Sequence, residues 1–457
     1  MGMESSNGRS QFSIEISEDN QALITSLKQN MEKASYAGCI CRVSPEISGE
    51  NRKAFVPVKV SIGPLHKDLH KNMENHKLRY LYSLLNRSPN EEAGLDSCVQ
   101  ALKELEAKAR SYYAEDLNHI ISDDFVKLML IDGGFIIELF LKCSVKGLKR
   151  RSDPIFSTPG LLFELRCDMI LLENQIPFIV LQRLFQIVPM PKQCNQSLTD
   201  LASRFFRNMI PGDYKLTREK FGQEGNHLLD LIRHCFLPTI PRISVKKDAV
   251  RHCLPSATQL QEVRGVKLKK ARTENLLDIK FVNGVLEIPP LQVHVYTENL
   301  LKNLIAFEVL CPCANTQLVT SYVLFMRKLI RSEKDVELLK QAGILRSIED
   351  EYEDEDENKE DDGCDESSTL FRLFESFKKT EVTVKDSYFN ELCEQVNGYK
   401  APSWFVWFMK TKGRSNDAHG KKDAAFPFAL ISVVAVLLVV LIFLGTLFSA
   451  MSFFSNH

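Results

Sequence analysis

Residues 424–448 (AAFPFALISVVAVLLVVLIFLGTLF) run for 25 positions without a charged side chain. As a helix rising ~1.5 Å per residue, such a run reaches roughly 37 Å, more than the ~30 Å hydrocarbon core of a bilayer. Pro427 falls near its start, where a missing N–H costs little. The run predicts one C-terminal transmembrane helix. A buried core helix is the alternative, but a soluble helix of that length normally keeps a polar face. Lys410, Lys412, Arg414, Lys421 and Lys422 precede the run and no Lys or Arg follows it, so the large N-terminal part is expected in the cytosol. Only residues 449–457 follow the run, which predicts tail-anchored insertion into the plasma membrane or an endomembrane, with the lipid bilayer as a partner. The first twenty residues contain no apolar core of the kind a secretory signal needs. Met1-Gly2-Met3-Glu4-Ser5-Ser6 matches a loose myristoylation pattern, for which an ordinary polar start is the simpler reading.

The rest of the chain has room for a large core, at 44% hydrophobic and 26% charged residues overall. The expected organisation is a disordered start over 1–30, a globular body over 38–410, a basic linker over 411–423, the span, and a short tail. The formal charge of −1 conceals an asymmetry. Residues 349–366 (EDEYEDEDENKEDDGCDE) hold thirteen acids and one Lys, a net of −12, which leaves +11 for the remainder. Charge at that density opposes compaction, so an acidic disordered insert is expected. Basic clusters stand at Lys149-Arg150-Arg151, Lys246-Lys247 and Arg264 to Arg272. Nothing resembling a zinc finger, a helix-turn-helix or an RNP motif accompanies them, so no nucleic-acid partner is expected.

Twelve cysteines are dispersed singly or as Cys39-Ile-Cys41 and Cys311-Pro-Cys313. Without CxxC or HxxxH spacing they read as free thiols, with no metal site and no cofactor. Two sequons, Asn86-Arg-Ser and Asn195-Gln-Ser, matter only for a lumenal domain.

Helical periodicity dominates. Leu78, Leu81, Tyr82, Leu84 and Leu85 make one apolar stripe; Phe125, Leu128, Met129, Phe135, Ile136, Leu139 and Phe140 make others. Further helices are expected over 161–187, bent or broken at Pro177, and over 196–208, 226–236, 298–310, 317–330 and 333–343. One β-hairpin is expected at 279–288, where alternating apolar residues flank Asn283-Gly284, a pair suited to the positive φ angles of a type I′ turn. Thr297 is placed as the cap of the next helix. The fold class is thus mainly α: a multi-helix globular domain with a small β-hairpin, plus the terminal span.

Several blocks recur in a familiar order. Cys41-Arg-Val-Ser-Pro-Glu-Ile47, Phe55-Val-Pro57, Val60-Ser-Ile-Gly-Pro-Leu-His66 and Lys77-Leu-Arg-Tyr-Leu81 are followed by Met129 to Phe140, Asp168-Met-Ile-Leu-Leu-Glu-Asn-Gln-Ile-Pro-Phe178, Gly284-Val-Leu-Glu-Ile-Pro289 and Thr320-Ser-Tyr-Val-Leu-Phe-Met326. Over about residues 38 to 450 the chain resembles the plant family catalogued as domain of unknown function 247. It departs from that pattern at Arg327, where an acidic residue is commoner, and in the acidic insert. What the resemblance implies is limited, since the family has no established enzymatic activity; members in grasses are associated with self-incompatibility recognition, an interaction role.

Two groups of residues deserve a chemical test. His66, His70 and Glu74 recur at four-residue spacing and would share a face if helical, but Gly63-Pro64 upstream suggests a turn. Glu164, Asp168 and Glu173, with Arg166 between them, would suit acid–base work if gathered in a cleft. Such residues more often pair with cations or satisfy backbone groups, and Glu173-Asn174-Gln175 before Pro177 fits that role where the helix is interrupted. No GxSxG, Walker loop, HExxH, GxGxxG or kinase set is present, so no catalytic residue is assigned and no small-molecule substrate is identifiable. The expected function is recognition or scaffolding through an unknown protein partner; an enzyme with a non-standard site is the alternative.

Overall fold

The computed structural model describes residues 20, 23–24, 38–87, 91–212, 214–238, 254–273, 275–348, 366–377, 388–400, 437–442 and 444–446. Two compact units separate within the chain, one over 1–400 and the other over 401–457.

The core of the first unit is organised around one helix. We number the main helices α1 (Lys71–Leu85), α2 (Glu91–Ser111), α3 (Ser122–Ser144), α4 (Leu161–Met169), α5 (Phe178–Ile187), α6 (Leu198–Phe205), α7 (Tyr214–Phe221) and α8 (Leu228–Phe236). α3 is buried almost without interruption from Phe125 to Leu141, and α1, α2, α5 and α6 pack around it. A helix apolar on all sides is stable only where it is enclosed on all sides. Gly133 and Gly134 allow that enclosure: a Cβ on either would press into Leu184 or Leu81 at about 2.5–2.6 Å. Asp123 and Asp124 open α3 and Lys142 closes it, each with the sign its dipole end favours. The expected 161–187 helix is fully broken into α4 and α5. Pro177 caps α5, and residues 170–177 cross between the two as a loop.

The chain continues through α9 (Ala257–Glu262), β1 (Lys267–Lys270), β2 (Lys280–Val282), β3 (Val285–Ile288), β4 (Leu291–Val293), α10 (Thr297–Leu310), α11 (Leu318–Leu329), α12 (Glu333–Gln341), β5 (Leu345–Ser347), α13 (Glu366–Ser376) and α14 (Asn390–Gly398). β2 and β3 form the antiparallel hairpin, with Asn283 at φ 52° and Gly284 at φ 78° in the turn. β1 joins β3 in parallel, and β4 pairs with β5 in parallel across more than fifty residues. Neither pairing was expected, because a Lys-Leu-Lys-Lys strand carries no alternating apolar pattern. Thr297 does not cap α10. It is the first helical residue, and its hydroxyl accepts from the His294 N–H at 2.9 Å. Arg327, the unusual residue of α11, donates to the Phe377 carbonyl at 3.1 Å.

One stripe is split. Leu81, Leu84 and Leu85 of α1 are buried, whereas Leu78 and Tyr82 on the opposite side are 46% and 56% exposed.

The C-terminal expectation is corrected. Among the described residues no helix is long and apolar enough to cross a membrane. Within 424–448 the described helical residues are 437–442 and 444–446, fewer than the ~20 that a spanning helix needs. The transmembrane helix, tail anchoring and single-pass membrane localisation are withdrawn with it. Most of the expected disordered start, the basic linker, most of the acidic insert and Lys246-Lys247 lie outside the described residues; of the start, residues 20 and 23–24 are described and are helical.

Candidate functional site

The sequence-derived candidates meet at a loop. Residues 56–66 carry no helix or strand, so their backbone groups need partners from elsewhere, and polar side chains supply them. The Asp168 carboxylate, at the end of α4, accepts from three successive N–H groups: Val58 at 2.8 Å, Lys59 at 2.6 Å and Val60 at 2.8 Å. Asn174 accepts from Ile62 N–H at 2.7 Å and donates to the Val60 and Asp168 carbonyls. Gln175 donates to the Met169 and Leu171 carbonyls and accepts from Leu229 N–H. Asp132, from the middle of α3, accepts from Gly63 N–H at 2.8 Å. Gly63 itself, at φ 77°, has no room for a side chain, because a Cβ would meet the Gln175 carbonyl.

Glu173 is heavily bonded. Its side chain is 0% exposed and accepts from Val43 N–H at 2.8 Å, from His66 Nε2 at 3.0 Å and from both terminal nitrogens of Arg52. Burial pushes this carboxyl up, but the hydrogen bonds from His66, Arg52 and Val43 outweigh burial and hold it at about 2. The Arg52 guanidinium is raised in turn by its hydrogen bond to Glu173. Behind it, the buried Lys77 ammonium reaches Asp132 at 2.7 Å, Glu74 at 2.7 Å and the Ser61 carbonyl at 2.5 Å. Burial drives Asp132 up against the pull of Lys77, and drives Asp168 up despite its three N–H donors.

The two expected constellations are therefore divided. His66 turns to Glu173, His70 bonds the Pro57 carbonyl at 2.8 Å, and Glu74 pairs with Lys77, because α1 starts only at Lys71. Among the described residues no three His, Cys, Asp or Glu side chains are grouped to hold a metal. Glu164 pairs with Lys59 at 3.2 Å on the surface, away from any shared cleft with Glu173.

A second cluster escaped sequence reasoning. Cys41 Sγ lies 3.6 Å from Cys311 Sγ, and Cys311 also bonds the Cys39 carbonyl. The neighbouring Cys311 and Cys39 thiols hold that of Cys313 below the ordinary range while theirs are pushed up. His227 stands beside them. Asp230 N–H donates to its Nδ1, so Nε2 carries the proton and donates to the Cys39 carbonyl at 3.1 Å. Burial keeps this imidazole neutral. The paired Cys-x-Cys spacing was the available signal, but nothing local says that two such pairs 270 residues apart meet.

A family model described as a plant protein of unknown function, DUF247, matches residues 40–441. The chain belongs to the DUF247 family. The UPF0481 protein At3g47200 of Arabidopsis thaliana is 30% identical over 434 residues, covering 88% of this chain and 84% of that protein. The putative UPF0481 protein At3g02645 of Arabidopsis thaliana is 21% identical over 454 residues, covering 77% and 80%. No solved structure matches. Two of the blocks that carry the DUF247 resemblance, Val60 to His66 and Asp168 to Phe178, tie the 56–66 loop. In this DUF247 protein those blocks serve one another as donor and acceptor.

Proposed function

We propose that this DUF247 protein acts by recognition, binding a protein partner through its surface. The observation that carries this reading is how the polar residues are spent. Asp168, Glu173, Asn174 and Asp132 accept the N–H groups of the 43–63 segment, and the loop is thereby held rigid. A carboxylate with its lone pairs occupied in this way is a poor acid or base, because each proton transfer would first break a buried hydrogen bond. Leu78 and Tyr82 meanwhile present apolar surface one turn apart on α1, a pattern suited to a partner.

Proximity labelling in plant tissue, comparing the full chain with Leu78→Glu/Tyr82→Glu, tests this reading. A discrete set of neighbours present for the parent and lost in the variant is expected. Identical labelling by the two proteins would remove the α1 face from the argument.

A second reading, thiol chemistry, is favoured by Cys313, a partly exposed thiol stabilised as thiolate next to Cys311 and Cys39. It is separable by replacing Cys313 with Ser, which leaves the α1 surface untouched.

A further inference from the structure

A cavity of about 990 Å³ opens between α4, the Arg207–Pro211 segment, the end of β1, β4 and the start of α10. It lies apart from the Glu173 cluster, and its volume is that of a small-molecule site. Its walls combine two chemistries. Phe163, Phe236, Leu276, Leu291, Leu300 and Leu301 supply an apolar floor. The Tyr296 ring, stacked on His294 at 5.0 Å and edge-on to Phe163 at 6.0 Å, adds a flat aromatic wall.

The charges are all of one sign. Arg166, Arg207, Lys270, Arg272 and Arg346 line the cavity, and no Asp or Glu does among the described residues. Arg166, Lys270, Arg272 and Arg346 make no ion pair with any described carboxylate. Glu287 pairs with Lys269 and Glu366 with Lys340, and at longer range Glu287 also attracts Arg272 and Glu366 attracts Arg346, outside the cavity lining. The Nε of Arg166 is buried without any hydrogen-bond partner. Its guanidinium rests over the Phe205 ring at 5.0 Å, which orients it without satisfying it. Cations lining an apolar floor with no acid among the described lining residues repel one another, and an orphaned buried donor costs more. An anion relieves both.

We propose that this cavity binds a compact organic anion with a flat apolar body, its ring against Tyr296 and the leucine floor and its phosphate, sulfonate or carboxylate head toward Arg166, Arg272 and Arg346. Guanidinium forks suit all three head groups, so the shared feature is the oxyanion. The site holds whether or not the α1 surface recognises a protein.

The test titrates the full chain with 8-anilinonaphthalene-1-sulfonate, which has the flat body and the anionic head, and with uncharged N-phenyl-1-naphthylamine, which lacks the head. Saturable binding of the sulfonate is expected, with inorganic pyrophosphate displacing it. Arg272→Glu/Arg346→Glu, both exposed positions, should weaken sulfonate binding at least tenfold and leave the uncharged dye unaffected. Arg272→Gln should weaken it by less. Lys103→Glu on α2, which changes net charge far from the cavity, should not weaken it. Equal affinity for the two dyes, or equal loss in Lys103→Glu and the double variant, would overturn the proposal. So would the absence of saturable sulfonate binding to the parent chain.

Discussion

Replacing Glu173 with Gln keeps the shape of the side chain and removes its charge. In the folded chain the carboxyl is depressed from its ordinary 4.5 to about 2, with its side chain fully buried. At ~1.4 kcal/mol for each tenfold change in proton affinity, that depression is worth about 3 kcal/mol of stability. The sign is set by the depression: the contribution is complete above pH 4.5 and disappears as pH falls toward 2. The amide also cannot accept from Val43 N–H, His66 and Arg52 together, so at least one donor is left without a partner. At pH 7 the variant should therefore unfold about 2–4 kcal/mol more easily than the parent. Thermal or urea unfolding of the two full-length proteins, followed by circular dichroism from pH 7 to pH 3, measures the gap directly. The gap should shrink steadily below pH 4.5 as Glu173 of the unfolded parent takes up a proton that the folded chain does not. A gap that stays constant down to pH 3 would refute the argument, because it would mean the charge is not what the cluster holds.

Asp168→Ala should destabilise by about 3 kcal/mol, since Val58, Lys59 and Val60 N–H all lose their acceptor; increased proteolysis within 56–66 in limited digestion would report the same loss. Gly284→Val should cost about 2 kcal/mol or more, because it forces a β-branched residue to φ 78° and drives its side chain into Tyr399; an unchanged melting temperature would count against the type I′ turn. Cys313 should be alkylated by iodoacetamide at pH 6, where ordinary thiols are protonated and slow, and mass spectrometry should find it modified before the buried Cys98 and Cys235.

Helices were legible in the sequence where one side chain repeats against the same neighbours. α8, α10, α11 and α12 each begin and end within two or three residues of the periodic runs that announced them. The hairpin was legible because Asn283-Gly284 states its own turn chemistry locally. Periodicity does not say which side of a helix is covered. It ranked Leu78 and Tyr82 with Leu81 and Leu84, and only the packing of α1 on α3 separated them. The apolar run at 424–448 shows the same limit: hydropathy counted residues, and the described helical turns there are too short to span a bilayer.

The candidate site was legible as a list and not as an arrangement. Asp168, Glu173, His66 and Asn174 stood out as residue types, but the pairs they form join positions more than a hundred apart, and no local pattern encodes such a pair. By itself the sequence determined what depends on neighbours a few residues away: helix periods, the turn, the acidic run and membership of the DUF247 family. Tertiary structure alone decided that β1 and β4 find parallel partners, that two Cys-x-Cys pairs meet, and that five arginines and lysines line one cavity with no acid among its described lining residues. The reason is physical. The pattern of a local element is written in residues a few positions apart, whereas a distant contact costs the closure of a long loop and becomes favourable only once the core has closed around it.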